Sequence, residues 1–156
     1  MNRAIAWVAS ACMAAGLGGC SSPTIKGRVV AGEGSYIIVV PPGDERLSGP
    51  TVTGVPGASV SVIMDPGRLN RKVIASGVSD ANGDIDLPID EFGAGFLEID
   101  VAVTARKKDH DPAEGYFRLP GSSRRVLIVM GPGQDRPTGH EREDLSKDVD
   151  RFWGGR

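Results

Sequence analysis

The segment Leu97-Glu98-Ile99-Asp100-Val101-Ala102-Val103-Thr104-Ala105-Arg106 is the strongest constraint on the fold. Every odd position is apolar and most even positions are polar. An extended strand sorts such a two-residue repeat onto opposite faces, so one face is expected in a core and the other in water. Shorter pieces repeat the theme. Residues 25–31 alternate at their start, 35–40 are apolar on both faces, and 59–64 alternate up to Asp65-Pro66-Gly67. Residues 72–79 read as a fourth strand that turns at Asp80-Ala81-Asn82-Gly83 into 84–87. Residues 124–130, apolar on both sides, read as a central strand. Gly54-Val55-Pro56-Gly57-Ala58 is a tight turn in which Pro56 fixes φ and Gly57 can take a positive one. Asn82-Gly83 between apolar runs signals a hairpin. With 22 glycines, 11 prolines and only 5% aromatic residues, the chain is expected to be all-β. The expected architecture is a seven- or eight-stranded antiparallel β-sandwich, with a short C-terminal amphipathic helix.

The front of the chain has another character. Arg3 supplies one positive charge, and an apolar, small-residue run follows from Ala4 to Leu17. As a helix these 14 residues would rise about 21 Å, short of a hydrocarbon core of about 30 Å, so they read as a secretion signal. Leu17-Gly18-Gly19-Cys20 resembles the bacterial lipobox, in which a branched residue and two small ones leave an unhindered backbone before a cysteine that carries lipid. The resemblance implies cleavage after residue 19 and acylation of Cys20, with the lipid membrane as a partner. Ser21 stands where an aspartate would imply inner-membrane retention, so an outer-membrane address in the cell envelope is expected. The organisation is read as a cleaved signal at 1–19, a lipid-anchored tether at 20–24, a sandwich at 25–130, and a linker with a helical tail at 131–156.

Removing the signal takes Cys12 with it and commits Cys20 to lipid, so the folded part has no cysteine and must rely on its core. The remaining 17 basic residues face 20 acidic ones. No basic face is implied, and nucleic acid is not an expected partner. The 137 residues left suffice for one domain.

Four stretches then carry a family resemblance. Ile25-Lys26-Gly27-Arg28-Val29 leads to Gly54-Val55-Pro56-Gly57-Ala58-Ser59-Val60-Ser61-Val62, followed by Ser76-Gly77-Val78-Ser79-Asp80-Ala81-Asn82-Gly83-Asp84-Ile85 and, late in the chain, Gly115-Tyr116. Residues 25–130 resemble the carboxypeptidase regulatory-like family of transthyretin-type β-sandwiches. The chain departs from the family pattern in an insertion over 32–53 and in Ser79, where threonine is usual. The resemblance implies a largely non-catalytic domain that accompanies enzymes, shapes surfaces or binds partners.

The residues themselves offer little chemistry. Asp80, Asn82, Asp84, Asp86 and Glu91 have the outer spacing of a calcium loop, but position six is Ile85 where that loop needs glycine. The competing reading is a solvated hairpin. His110 lies in the charged loop Lys107-Lys108-Asp109-His110-Asp111-Pro112 and is either a ligand or base held by a carboxylate, or an exposed loop histidine. His140 sits in a polar tail. There is no Gly-x-Ser-x-Gly elbow, no CxxC and no phosphate-binding glycine loop. No enzyme activity, metal or cofactor is expected.

In the tail, Leu145, Val149, Phe152 and Trp153 recur at i, i+4, i+7 and i+8, one face of a helix with charge around the rest. Three readings stay open: docking on the sandwich, a loosely ordered tail, and a helix that binds an envelope protein in a groove through these four residues. The functional expectation is a membrane-anchored, non-enzymatic binding or structural module of the cell envelope. The alternative is a carbohydrate- or peptide-binding accessory of an envelope enzyme.

Overall fold

The computed structural model describes residues 23–67, 71–89 and 98–135. Eight strands appear in chain order: β1 (Thr24–Ala31), β2 (Tyr36–Val40), β3 (Ser59–Met64), β4 (Lys72–Val78), β5 (Asp84–Pro88), β6 (Asp100–Arg106), β7 (Ala113–Arg118) and β8 (Arg125–Met130). One short helix, α1 (Glu45–Ser48), lies between β2 and β3. The strands form two four-stranded sheets, ordered β2-β8-β1-β5 and β4-β3-β6-β7. The all-β sandwich is therefore as expected, while the C-terminal helix falls outside the described residues.

Alternation explains the packing. In the first sheet Ile25 and Val29 of β1, Ile85 and Leu87 of β5, and Val126, Ile128 and Met130 of β8 point inward. They meet Val60 and Val62 of β3 and Val101, Val103 and Ala105 of β6 from the second sheet. In β4 a bulge opposite Val62/Ile63 lets Ile74 and Ala75 both turn to the core.

Several expectations are corrected. Pairing is not antiparallel throughout: β1 and β8 run parallel, with Gly27 opposite Val126 and Ala31 opposite Met130. These are the first and last of the described strands, so no tight turn joins them and none dictates their relative direction. The Asn82-Gly83 turn does not close a hairpin, because β4 pairs with β3 in one sheet and β5 with β1 in the other. It is a corner between sheets, and only Gly83 of the pair has a positive φ, 84°. β6 keeps its wet face only at its ends: Asp100 is exposed and Arg106 half-buried, while Ala102 and Thr104 between them are buried. As a central strand it sets these short side chains between Ile63 and Tyr116 and between Ser61 and Glu114 of its neighbours. β8, by contrast, is central as expected.

The insertion has a packing role. Leu47 of α1 is buried with Val30, Val40, Leu127 and Val129, and Val52 packs against them. This second, smaller core lies on the outer face of the first sheet. It is the reason that β2 and β8 are apolar on both faces.

Candidate functional site

Beside that small core the outer face of the first sheet turns charged, and an open groove of about 760 Å³ runs between α1 and the β1-β5 edge. Strand alternation sends Lys26 and Arg28 of β1, Asp84 and Asp86 of β5, and Arg125 of β8 to this face, with Asp80 at its end. Register then pairs opposite charges: Lys26 lies across from Asp86 and Arg28 from Asp84. The Lys26 ammonium stands 3.4 Å from the Asp86 carboxylate, and Arg28 Nε stands 3.7 Å from that of Asp84. Cross-strand pairs of this kind support register while remaining wet.

Arg28 is the best-held of these groups. Its Nε donates to the Asn82 carbonyl at 3.0 Å and its Nη1 to the Leu47 carbonyl at 2.7 Å. One guanidinium thus ties the insertion, the intersheet corner and β1 together, using the fixed fork that lysine lacks. Arg125 donates from Nη1 to the Ser122 and Arg124 carbonyls, both at 2.9 Å. At the start of α1, Asp44 caps the helix, its Oδ1 accepting from the Arg46 amide at 3.0 Å. The Arg46 side chain hydrogen-bonds the same carboxylate and holds its pKa down to about 2.

The groove can offer fixed cations and carboxylates to a polar ligand bearing both signs. It brings no histidine or cysteine against them among the described residues. The acidic corner is not organised as a calcium loop. Asp80 Oδ1 accepts from the amides of Asn82 and Asp84 at 2.8 and 2.9 Å, and Asp84 and Asp86 face cations. Glu91 lies outside the described residues. No group of three or more His, Cys, Asp or Glu stands close enough to hold a metal among the described residues.

The other candidates are dispersed. His110 sits in its loop with Nδ1 3.1 Å from the Lys108 carbonyl, not a carboxylate, and pairs with Pro132 in an isolated bridge. The Asp111 carboxylate accepts from the Gln134 amide at 3.1 Å. Cys20, His140, Leu145, Val149, Phe152 and Trp153 lie outside the described residues. Sequence reasoning missed Lys26, Arg28 and Arg125. Their common face follows from strand parity, but the β1-β5 pairing that adds the carboxylates carries no local signal.

No family model matches the chain, and no curated protein matches it. Among solved structures it is similar to a 9R-lipoxygenase from Cyanothece PCC8801, at 13% identity and a TM-score of 0.37. The similarity covers 77% of this chain and 15% of that one, so the chain spans only a small part of that protein's length.

Proposed function

We propose that the chain is a lipid-anchored, non-enzymatic binding or structural module of the bacterial cell envelope, built on a carboxypeptidase regulatory-like sandwich. The observation that carries this reading is Leu17-Gly18-Gly19-Cys20, four residues before β1 begins at Thr24. Two or three acyl chains on Cys20 would hold firmly, each buried methylene contributing about 0.8 kcal/mol. Residues 20–23 would then keep the sandwich within about 13 Å of the surface, at roughly 3.3 Å per residue.

Labelling cells with a fatty acid tests the anchor. Wild-type chain should take up label and sediment with membranes, and Cys20→Ser should do neither. A labelled Cys20→Ser chain overturns the reading. Ser21→Asp tests the address: it should move the protein from the outer to the inner membrane fraction.

The groove favours a second reading, a peptide-binding accessory of an envelope enzyme. Its lining carries both signs of charge and, among the described residues, no aromatic ring. A sugar site usually wants such a ring, so peptide fits better than glycan. Titration with short peptides bearing both charges should move the resonances around Lys26 and Arg28; unmoved resonances reject this reading.

A further inference from the structure

The outer face of the second sheet has no described element over it, and one row across it is apolar. Register sets Val73 of β4 against Ile63 of β3, Ile63 against Ala102 of β6, and Ala102 against Tyr116 of β7. The result is an unbroken apolar row across all four strands. Its ends are open, with Val73 57% and Tyr116 59% exposed, and Val78 on the same edge strand is 64% exposed. The next row, Ser76-Ser61-Thr104-Glu114, is small in its middle and therefore leaves a shallow trough. One carboxylate oxygen of Glu114 in that trough, Oε1, is buried. Exposed apolar side chains at both ends of one continuous row, Val73 and Tyr116, mark a surface meant to be covered.

The chain leaves the described region beside this face. Asp135, the last described residue, is ion-paired to Arg106 at 2.7 Å. Arg106 closes β6 on this outer face, two residues beyond Thr104 and four beyond Ala102. The apolar row therefore begins about 13 Å from the exit point, at about 3.3 Å per strand residue. The 21 residues that follow contain an amphipathic pattern at helical spacing, Leu145, Val149, Phe152 and Trp153. Residues 136–144 can span about 30 Å when extended, ample for that distance. As a helix, 145–153 would be about 12 Å long. The row from Val73 to Tyr116 crosses three strand spacings, or about 14 Å. Position, reach and length all agree.

We propose that the outer face of the second sheet is the seat of the chain's own C-terminal segment, with Leu145, Val149, Phe152 and Trp153 laid across the row Val73-Ile63-Ala102-Tyr116. The segment then completes the sandwich as a third layer, and its aromatic pair is consumed within the molecule.

The sequence provides the reporter, since Trp7 and Trp153 are its two tryptophans. In the full chain with Trp7→Phe, held in one non-denaturing detergent, Trp153 emission and its quenching by acrylamide are compared with and without Val73→Lys plus Tyr116→Lys. Both substituted side chains are already exposed, and circular dichroism checks that the sheets persist; if the pair unfolds the chain, Tyr116→Lys alone replaces it. The expected result is shielded, blue-shifted emission that moves to the red, with quenching several-fold greater, in the substituted chain. Emission that is the same in both chains overturns the proposal, whether Trp153 is wet in both or dry in both. Shielding lost on dilution at constant detergent also overturns it, because a second copy would then be the occupant.

Discussion

The hydroxyl of Ser79 donates to the carbonyl of Val55 at 2.7 Å, across a separation of 24 residues. The same oxygen accepts from the Ala58 amide at 2.9 Å, and the Ser79 backbone closes the frame through Gly57 and Ala58. A single side chain, 4% exposed, therefore satisfies both polar ends of the 55–58 turn.

Ser79→Ala should lower stability by about 1–3 kcal/mol, because it strands a buried carbonyl and a buried amide. Urea unfolding should show a reduced midpoint at unchanged slope. A midpoint equal to wild type would show that water replaces the hydroxyl.

Gly57 and Gly83 both have positive φ, 71° and 84°, and should respond differently to alanine. At Gly57 nothing lies within 4 Å of the added methyl, so the cost is the left-handed backbone alone, about 1–2 kcal/mol. At Gly83 the methyl collides with the Val29 carbonyl and approaches the Gly54 Cα at 3.0 Å. Gly83→Ala should exceed about 4 kcal/mol and fail to give soluble folded chain. Equal melting temperatures for the two variants would contradict this close crossing.

Leu47→Ala should remove about 2 kcal/mol or more by emptying the smaller core. The loss should appear first as faster amide exchange in 44–53 and in the edge strand β2, with β3 and β6 still protected. Uniform loss of protection would show that the two cores open as one.

The Asp44 cap predicts a pH dependence. Its carboxyl titrates at about 2 in the folded chain, against about 3.9 unfolded. A depressed carboxyl stabilises fully above the unfolded value and loses that effect as pH falls through the folded one. Amide exchange at α1, corrected for intrinsic rate, should therefore rise between about pH 4 and pH 2. Asp44→Ser keeps a cap without the charge and should flatten that rise.

Much of the fold is legible in local pattern. β3, with Val60 and Val62 inward and Ser59 and Ser61 outward, is read correctly because a two-residue repeat needs no tertiary information. β7 escapes the pattern. Its inward positions are Ala113, Gly115 and Phe117, and Gly115 contributes no side chain because the Ile37 carbonyl and Cβ of β2 approach it to 2.8 and 2.7 Å of where a methyl would sit. Hydrophobic periodicity is silent where two sheet edges come that close. The corner at Asn82-Gly83 shows the other limit: turn chemistry says that the chain reverses, not which sheet receives the next strand. The groove inherits this limit, since Arg28 meets Asp84 only once β5 has crossed to β1.

The parallel β1·β8 ladder has a mechanical meaning. A chain held at its N-terminus and drawn out from its C-terminus pulls β1 from Thr24 and β8 from Met130. These residues mark opposite ends of two adjacent strands. The force then lies along the strands and loads the whole ladder in shear, so its hydrogen bonds must fail together. An antiparallel terminal pair would instead be pulled from one end and unzip bond by bond. Resistance to such a pull is a matter of unfolding rate rather than of equilibrium stability, and this order of strands places the strongest loading geometry on the first and last of the described strands.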